Sequence, residues 1–137
     1  MVKSKSRSKS KSKSKAKSKS KPKSVTVAAI KRAVEGRNAD AIVGLYADDA
    51  VVQVIDRDNP PSKPRSLEGK SAIFAYFNDV CGRDMKHKLE SGVSEGKRLA
   101  FTQSCAYPNG NKVYCSATIE LKGGKIARQI VVQAWDS

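Results

Sequence analysis

Four polar side chains lie on otherwise apolar, strand-like stretches, where acid–base chemistry is possible. Asp56 follows a β-branched run, and His87, Gln103 and Tyr107 occupy the apolar faces of two later strands. A His–Asp pair within hydrogen-bond reach can act as a general base, so one hypothesis is that Asp56 and His87 meet in a pocket and bind or deprotonate a small ligand. The interpretation that we favour is structural: Asp56 bonds the turn at residues 57–59, and His87 is a strand residue near a sheet edge.

Three cysteines, Cys81, Cys105 and Cys115, offer thiol chemistry. None forms a CxxC pair and the chain has one histidine, so we predict neither a metal site nor a cofactor. The odd count and the lack of a secretory leader favour reduced thiols in the cytoplasm. A nucleophilic or disulfide role for Cys105 and Cys115 is an alternative, but buried cysteines most often act as small apolar residues.

The elements that position these side chains begin with two short helices. Ser24 or Thr26 can cap the first, which ends at Gly36, and Asn38 caps the second, which runs to about Tyr46. Asp48 and Asp49 then end the helix, an interpretation that we prefer to paired catalytic acids. A strand follows at residues 50–56, then a proline-containing loop at residues 57–68 and a third helix at residues 70–81.

From Met85 onward the apolar period changes to two, which indicates strands. A turn centred on Gly110 pairs Cys105 with Cys115 and places both apolar sets on one face. A Gly-Gly turn at residues 123–124 leads into the last strand, residues 125–135, whose two faces are both largely apolar. We therefore predict that one face of this strand covers the helices and the other a second subunit.

Residues 1–24 alternate lysine with serine and carry a charge of +11 of the chain's +14, which leaves +3 for the remainder. So little apolar surface and so much self-repulsion predict a disordered arm. It either binds nucleic acid or another polyanion weakly, or serves only as a solubilising tail. The predicted binding side chains are Lys3, Lys5, Arg7, Lys9, Lys11, Lys13, Lys15, Lys17, Lys19, Lys21 and Lys23. No apolar run is long enough to span a membrane.

Residues 25–137 form the predicted folded domain, and its local motifs at residues 45–50, 64–66, 69–77 and 124–126 carry a resemblance. Together they resemble the SnoaL-like branch of the nuclear transport factor 2-like superfamily, which includes ketosteroid isomerase. The resemblance implies an α+β cone, in which three helices cover a curved antiparallel sheet and leave a pocket between them. It also implies a homodimer through the outer sheet face.

The resemblance further assigns the isomerase base to Val54, its tyrosine to Ile30 and its acid to the region of Ala117. All three residues are apolar, so steroid isomerase activity is not expected. The implied pocket wall comprises Tyr46, Val54, Phe74, Phe77, Phe101, Gln103, Tyr107 and Trp135. Phe74 and Phe77 could stack on an aromatic ligand, although a place in the core suits them better.

Three functions remain open at this point. The domain binds a small, largely apolar ligand without a defined reaction. Alternatively, it is a non-catalytic dimerisation module that presents two basic arms to a polyanion. The third possibility is an enzyme that uses Asp56 and His87 as its acid–base pair.

Overall fold

Three helices and six strands make up residues 24–136, the part of the chain that the computed structural model describes. The helices are α1 (Val27–Glu35), α2 (Ala39–Val43) and α3 (Gly69–Cys81). The strands are β1 (Tyr46–Ile55), β2 (Arg65–Glu68), β3 (Lys86–Glu95), β4 (Arg98–Ala106), β5 (Lys112–Lys122) and β6 (Lys125–Trp135). The predicted basic arm lies outside the described residues, apart from Ser24.

All six strands join one curved sheet in the order β2-β1-β6-β5-β4-β3. β1 and β6 run parallel, and the other neighbouring strands are antiparallel. The core lies between the helices and the inner sheet face, where Ile30, Ile42 and Ile73 of the three helices are buried. The predicted α+β class is thereby confirmed. Within residues 24–136, no helix is long and apolar enough to cross a membrane.

Side-chain caps fix where the first two helices begin. Thr26 Oγ1 accepts a hydrogen bond from the Ala29 amide at 3.1 Å, so Thr26 rather than Ser24 is the cap. Asn38 Oδ1 accepts one from the Ala41 amide at 3.0 Å. The second helix is shorter than predicted, because it ends at Val43 with Gly44 as its cap.

The predicted junction at Asp48 and Asp49 is wrong. Both aspartates lie within β1, which begins at Tyr46 and not at Ala50. They are exposed, and Asp48 pairs with Lys70 at 3.5 Å. The early start of the strand reflects pairing with β6, since Tyr46 lies opposite Ile126. The predicted loop also holds a short strand, β2, which follows Pro64 at the sheet edge, where a nearby proline is tolerated.

The predicted hairpin register is off by two residues. Cys105 lies opposite Val113, and Cys115 lies opposite Gln103. The turn closes through the Tyr107 amide, which donates to the Asn111 carbonyl at 2.9 Å, so its centre is one residue earlier than Gly110. Because the shift is even, both cysteines still face inward.

A bulge in β6 changes the direction in which its first residues point. Leu121 lies opposite Ile126 but Glu120 lies opposite Arg128, so one extra residue is inserted in β6. As a result Ile126 and Gln129 both point into the core, although residues three apart in a regular strand lie on opposite faces. Ile130 and Val132 lie on the outer face, 42% and 46% exposed.

Candidate functional site

A cavity of about 340 Å³ opens between the helices and the inner face of the sheet. Every helix and every strand contributes at least one residue to its wall. The deep part is apolar, with Ile30, Ile42, Val52 and Ala117 among its lining residues. This mixture of an apolar wall and a few polar groups is typical of small-molecule sites.

The structure places most of the predicted wall on this cavity. Six of the predicted residues line it: Tyr46, Phe77, Phe101, Gln103, Tyr107 and Trp135. Val54 and Phe74 do not line it: Val54 is 1% exposed within the core, and Phe74 is half-buried on α3. Asp56 and His87 also belong to the lining.

The Asp56 side chain bonds to the turn that follows it in the sequence. Its Oδ1 accepts hydrogen bonds from the Asp58 amide, the Asn59 amide and the Asn59 side chain, each at 2.9 Å. Such local bonding is the usual role of an aspartate that ends a strand. This geometry matches the structural interpretation favoured from the sequence.

His87 has different partners, at the opposite edge of the sheet from β1. Its Nδ1 lies 3.1 Å from Gln103 Nε2 and 3.3 Å from Cys105 Sγ. Three strands separate β1 from β3, and no hydrogen bond within residues 24–136 joins His87 to Asp56. The two side chains thus share a cavity but do not form the acid–base pair of the sequence hypothesis.

Two glutamines of β6 organise the polar groups of the cavity, and neither was predicted as a site residue. The Tyr46 hydroxyl donates to Gln129 Oε1. Gln133 Nε2 donates to the Tyr76 hydroxyl at 3.1 Å, and Trp135 Nε1 donates to Gln133 Oε1 at 3.2 Å. The signal that could have found them is a glutamine repeated at even spacing on an inward apolar face.

The two phenols in this network remain neutral donors. Burial raises the pKa of Tyr46 far above its ordinary value, and the nearby Tyr76 phenol adds a smaller increase. The hydrogen bond between Tyr46 and Gln129 acts in the opposite direction and lowers the pKa of Tyr46. Burial likewise raises the pKa of Tyr76, against the effect of its bond from Gln133. Because Tyr76 accepts from Gln133, its own O–H is available to donate to a molecule in the cavity.

The open end of the cavity is polar. The Arg57 guanidinium lies 4.7 Å from the centre of the Trp135 ring, and that of Arg65 lies 5.2 Å from the Tyr76 ring. Arg83 donates to the Tyr107 hydroxyl at 3.1 Å. Charged side chains of both signs therefore surround an aromatic entrance, since Asp56 and Asp58 line it as well.

Within the described part of the chain, no group of three or more His, Cys, Asp or Glu side chains could hold a metal ion. The positions that the resemblance assigns to isomerase chemistry, Val54, Ile30 and Ala117, are all buried and apolar. The cavity thus offers hydrogen-bond donors and thiols but no carboxylate base at those positions.

An open α+β cone with a partly apolar cavity defines the class of protein. The family model described as "SnoaL-like domain" matches residues 27–129, and the chain belongs to that family. A search of curated proteins finds no match.

Solved structures with the same fold include three that illustrate its range. One is an NTF-2 like protein of unknown function from Burkholderia xenovorans, with TM-score 0.65 and 21% identity over 80% of this chain and 78% of that one. Another is an NTF2-like protein of unknown function from Mesorhizobium loti, with TM-score 0.65 and 16% identity over 77% and 84%. The third is SalBIII, an epoxide hydrolase/cyclase-like enzyme in pyran ring formation, with TM-score 0.63 and 24% identity over 79% and 87%. At these identities the similarity shows the fold alone.

Proposed function

We propose that this SnoaL-like domain binds a small, largely apolar molecule inside the cavity. The observation that carries the proposal is the cavity itself, about 340 Å³ in volume and lined by every element of the fold. That volume lies within the range of natural small-molecule sites. Protein interiors are close-packed, so an open apolar cavity at the centre of the fold favours a ligand.

The polar groups of the cavity suggest the chemistry of that ligand. The free O–H of Tyr76 suits a carbonyl or hydroxyl oxygen, and the charged entrance suits a polar end that stays near solvent. An apolar body would occupy the deep part beside Ile30 and Ala117. One solved neighbour, SalBIII, is an epoxide hydrolase/cyclase-like enzyme in pyran ring formation, which is compatible with a compact organic ligand. We propose binding, not the acid–base reaction considered from the sequence, since Asp56 and His87 form no hydrogen bond with each other.

Replacing Val131 with phenylalanine is expected to weaken binding of an apolar probe at least tenfold. Val131 lines the cavity, and an added ring would overlap the space that a ligand needs. The measurement is a titration of the full chain with N-phenyl-1-naphthylamine, a neutral apolar dye. Trp135 is the chain's one tryptophan and lines the cavity, so quenching of its emission reports dye bound there. An unchanged dissociation constant in Val131→Phe would contradict the proposal.

We further propose that the domain is a homodimer joined through the outer sheet face. Ile130, Val132 and Tyr114 are 42%, 46% and 49% exposed there, on neighbouring strands. This apolar area is continuous and a second copy would cover it. Val132→Lys is expected to convert the dimer to a monomer at micromolar concentration, because association would bury an unpaired charge. Native mass spectrometry measures the change, and a wild-type monomer would refute the proposal.

The two variants are controls for each other. Val131 and Val132 are adjacent in β6 and point to opposite sides of the sheet. Val131→Phe is expected to lose the dye and stay dimeric, and Val132→Lys to lose the dimer and keep the dye. Loss of both properties in either variant would indicate misfolding, which circular dichroism would show.

A second candidate function is a non-catalytic dimer that presents its basic arms to nucleic acid or another polyanion. The charge of +11 on residues 1–24 supports it. A wild-type dimer that takes up no apolar dye would favour this function over ligand binding.

For either function we place the protein in the cytoplasm, because its three cysteines are free thiols suited to a reducing compartment.

A further inference from the structure

Four polar side chains form a block on the inner face of β3, β4 and β5. His87 lies directly opposite Cys105, and Gln103 lies directly opposite Cys115. All four line the cavity, and both cysteines are almost fully buried. Two cross-strand pairs on adjacent ladders thus bring a histidine, an amide and two thiols together at one end of the cavity.

Cys105 is the centre of this block. Its Sγ accepts a hydrogen bond from Gln103 Nε2 at 3.1 Å and lies 3.3 Å from His87 Nδ1. The Cys115 thiol lies diagonally across from it on β5. An amide N–H and an imidazole N–H can both donate to a thiolate, so Gln103 and His87 stabilise the ionised form of Cys105.

The same geometry governs the ionisation of the two thiols. The bond from Cys115, followed by those from His87 and Gln103, lowers the pKa of Cys105 to about 5 against the opposing effect of burial. The neighbouring Cys105 sulfur, together with burial, raises the pKa of Cys115. The other titratable groups on this cavity near the block are the Tyr76 and Tyr107 phenols, and Arg83 supplies a fixed positive charge.

The two cysteines are not placed to form a disulfide. They occupy diagonal positions on β4 and β5, because Cys105 faces Val113 and Cys115 faces Gln103. Diagonal neighbours in a sheet have Cα atoms roughly 7–8 Å apart, beyond the usual span of a disulfide. Cys115 is therefore not a partner that would oxidise with Cys105.

One atom of the block has no partner. His87 Nε2 is buried and makes no hydrogen bond within the described residues. Buried polar atoms are nearly always bonded, so this unpaired nitrogen is an unusual feature of the block. That atom belongs to the same imidazole whose Nδ1 faces the Cys105 sulfur.

We propose that Cys105 is a nucleophilic thiolate that adds to a soft carbon electrophile of the α,β-unsaturated carbonyl class held in the cavity. The sulfur lone pair forms a bond to the β-carbon, and the C=C electron pair moves onto the carbonyl as an enolate. A proton from the solvent then reaches the α-carbon, which leaves a thioether and consumes no oxidant or reductant. The proposal names a ligand class for the cavity of the proposed function and rests on that cavity being open to small molecules.

The test is alkylation of the full chain by N-ethylmaleimide, itself an α,β-unsaturated carbonyl compound, between pH 5 and 8. Peptide mass spectrometry reports each cysteine separately. Cys81 is the internal control, because it is half-buried on α3 and burial raises the pKa of its thiol. We expect Cys105 to react at least tenfold faster than Cys81 at pH 6, and its rate to level off well below pH 8. A Cys105 rate that is slower than that of Cys81, or that rises with pH in parallel with it, would overturn the proposal.

Matched variants test the role of Cys115. Cys115→Val removes the donor, and we expect the midpoint of the Cys105 pH–rate profile to rise by at least one pH unit. Cys115→Ser restores an O–H donor and is expected to keep the low midpoint. If Cys115→Val fails to fold by circular dichroism, the wild-type profile still decides between the outcomes.

The two proposals fail in different ways. Loss of dye binding together with rapid labelling of Cys105 at pH 6 overturns only the apolar-ligand proposal. Dye binding together with slow labelling overturns only the thiolate. If both hold, a saturating concentration of dye should slow the labelling of Cys105 and leave Cys81 unaffected.

Discussion

Replacing Ile73 with alanine is expected to lower the free energy of unfolding by about 2 to 5 kcal/mol. Ile73 is 0% exposed and lies at the centre of α3, where the helix packs against β1. Truncation removes three carbons from the core and leaves a void that the surrounding sheet cannot close. Urea denaturation of the full chain, followed by circular dichroism, measures the change.

The matched control is Ser71→Ala, two residues earlier on the same helix. Ser71 is exposed, so its substitution is expected to change stability by less than about 0.5 kcal/mol. An Ile73→Ala variant that loses less than about 1 kcal/mol would contradict the packing of α3 described above. A changed slope against urea would instead indicate an altered unfolded or native state.

The helices could be predicted because their determinants are local. Thr26 and Asn38 cap the two short helices through bonds three residues ahead, and α3 shows its apolar spacing within its own 13 residues. The start of β1 could not, because it depends on pairing between Tyr46 and Ile126, which are distant in the sequence. Asp48 and Asp49 have poor strand propensity, and tertiary pairing overrides it.

The strands show the same division between local and non-local information. Alternation at period two placed Cys105, Cys115 and Phe101 on the inner face, where they are buried. It could not fix the hairpin register, which an even shift leaves consistent with the alternation. Nor could it reveal the bulge in β6, since one inserted residue has no sequence signature there.

The chemistry of the site was predicted least well, for a physical reason. Asp56 and His87 both reach the cavity, yet each is bound by close neighbours: the turn at residues 57–59 and the pair Gln103–Cys105. Residue types suggest which groups could take part in chemistry, but the hydrogen-bond partners of each group determine whether it is free to do so. The block around Cys105 depends on two cross-strand pairings, and the predicted register connected the cysteines differently.

Raising the pH from 10 to 11.5 is expected to destabilise the fold, and Tyr46→Phe is expected to remove part of that loss. Tyr46 is 3% exposed, and burial raises its pKa above the ordinary value of 10.0. Above pH 10 the unfolded state releases the phenol proton while the folded state retains it. The folded state then binds more protons, so stability falls as the pH rises, by about 1.4 kcal/mol per pH unit for each such tyrosine.

The loss of stability caused by Tyr46→Phe is therefore expected to depend on pH. At pH 8 the variant is expected to be less stable by about 1 to 3 kcal/mol, because Gln129 Oε1 loses its donor in a buried site. Above pH 10 that deficit is expected to shrink by about 1.4 kcal/mol per pH unit, since phenylalanine has no proton to lose. Urea denaturation of both proteins at a series of pH values measures the difference.

Ser71→Ala is the control, because Ser71 is exposed on α3 and carries no group that ionises in this pH range. Its stability difference from wild type is expected to stay constant as the pH changes. Parallel curves for wild type and Tyr46→Phe would show that the Tyr46 phenol ionises as readily in the folded protein as in the unfolded chain. That result would mean that water reaches the Tyr46–Gln129 pair, and the deep part of the cavity would then be too wet for the apolar ligand that we propose.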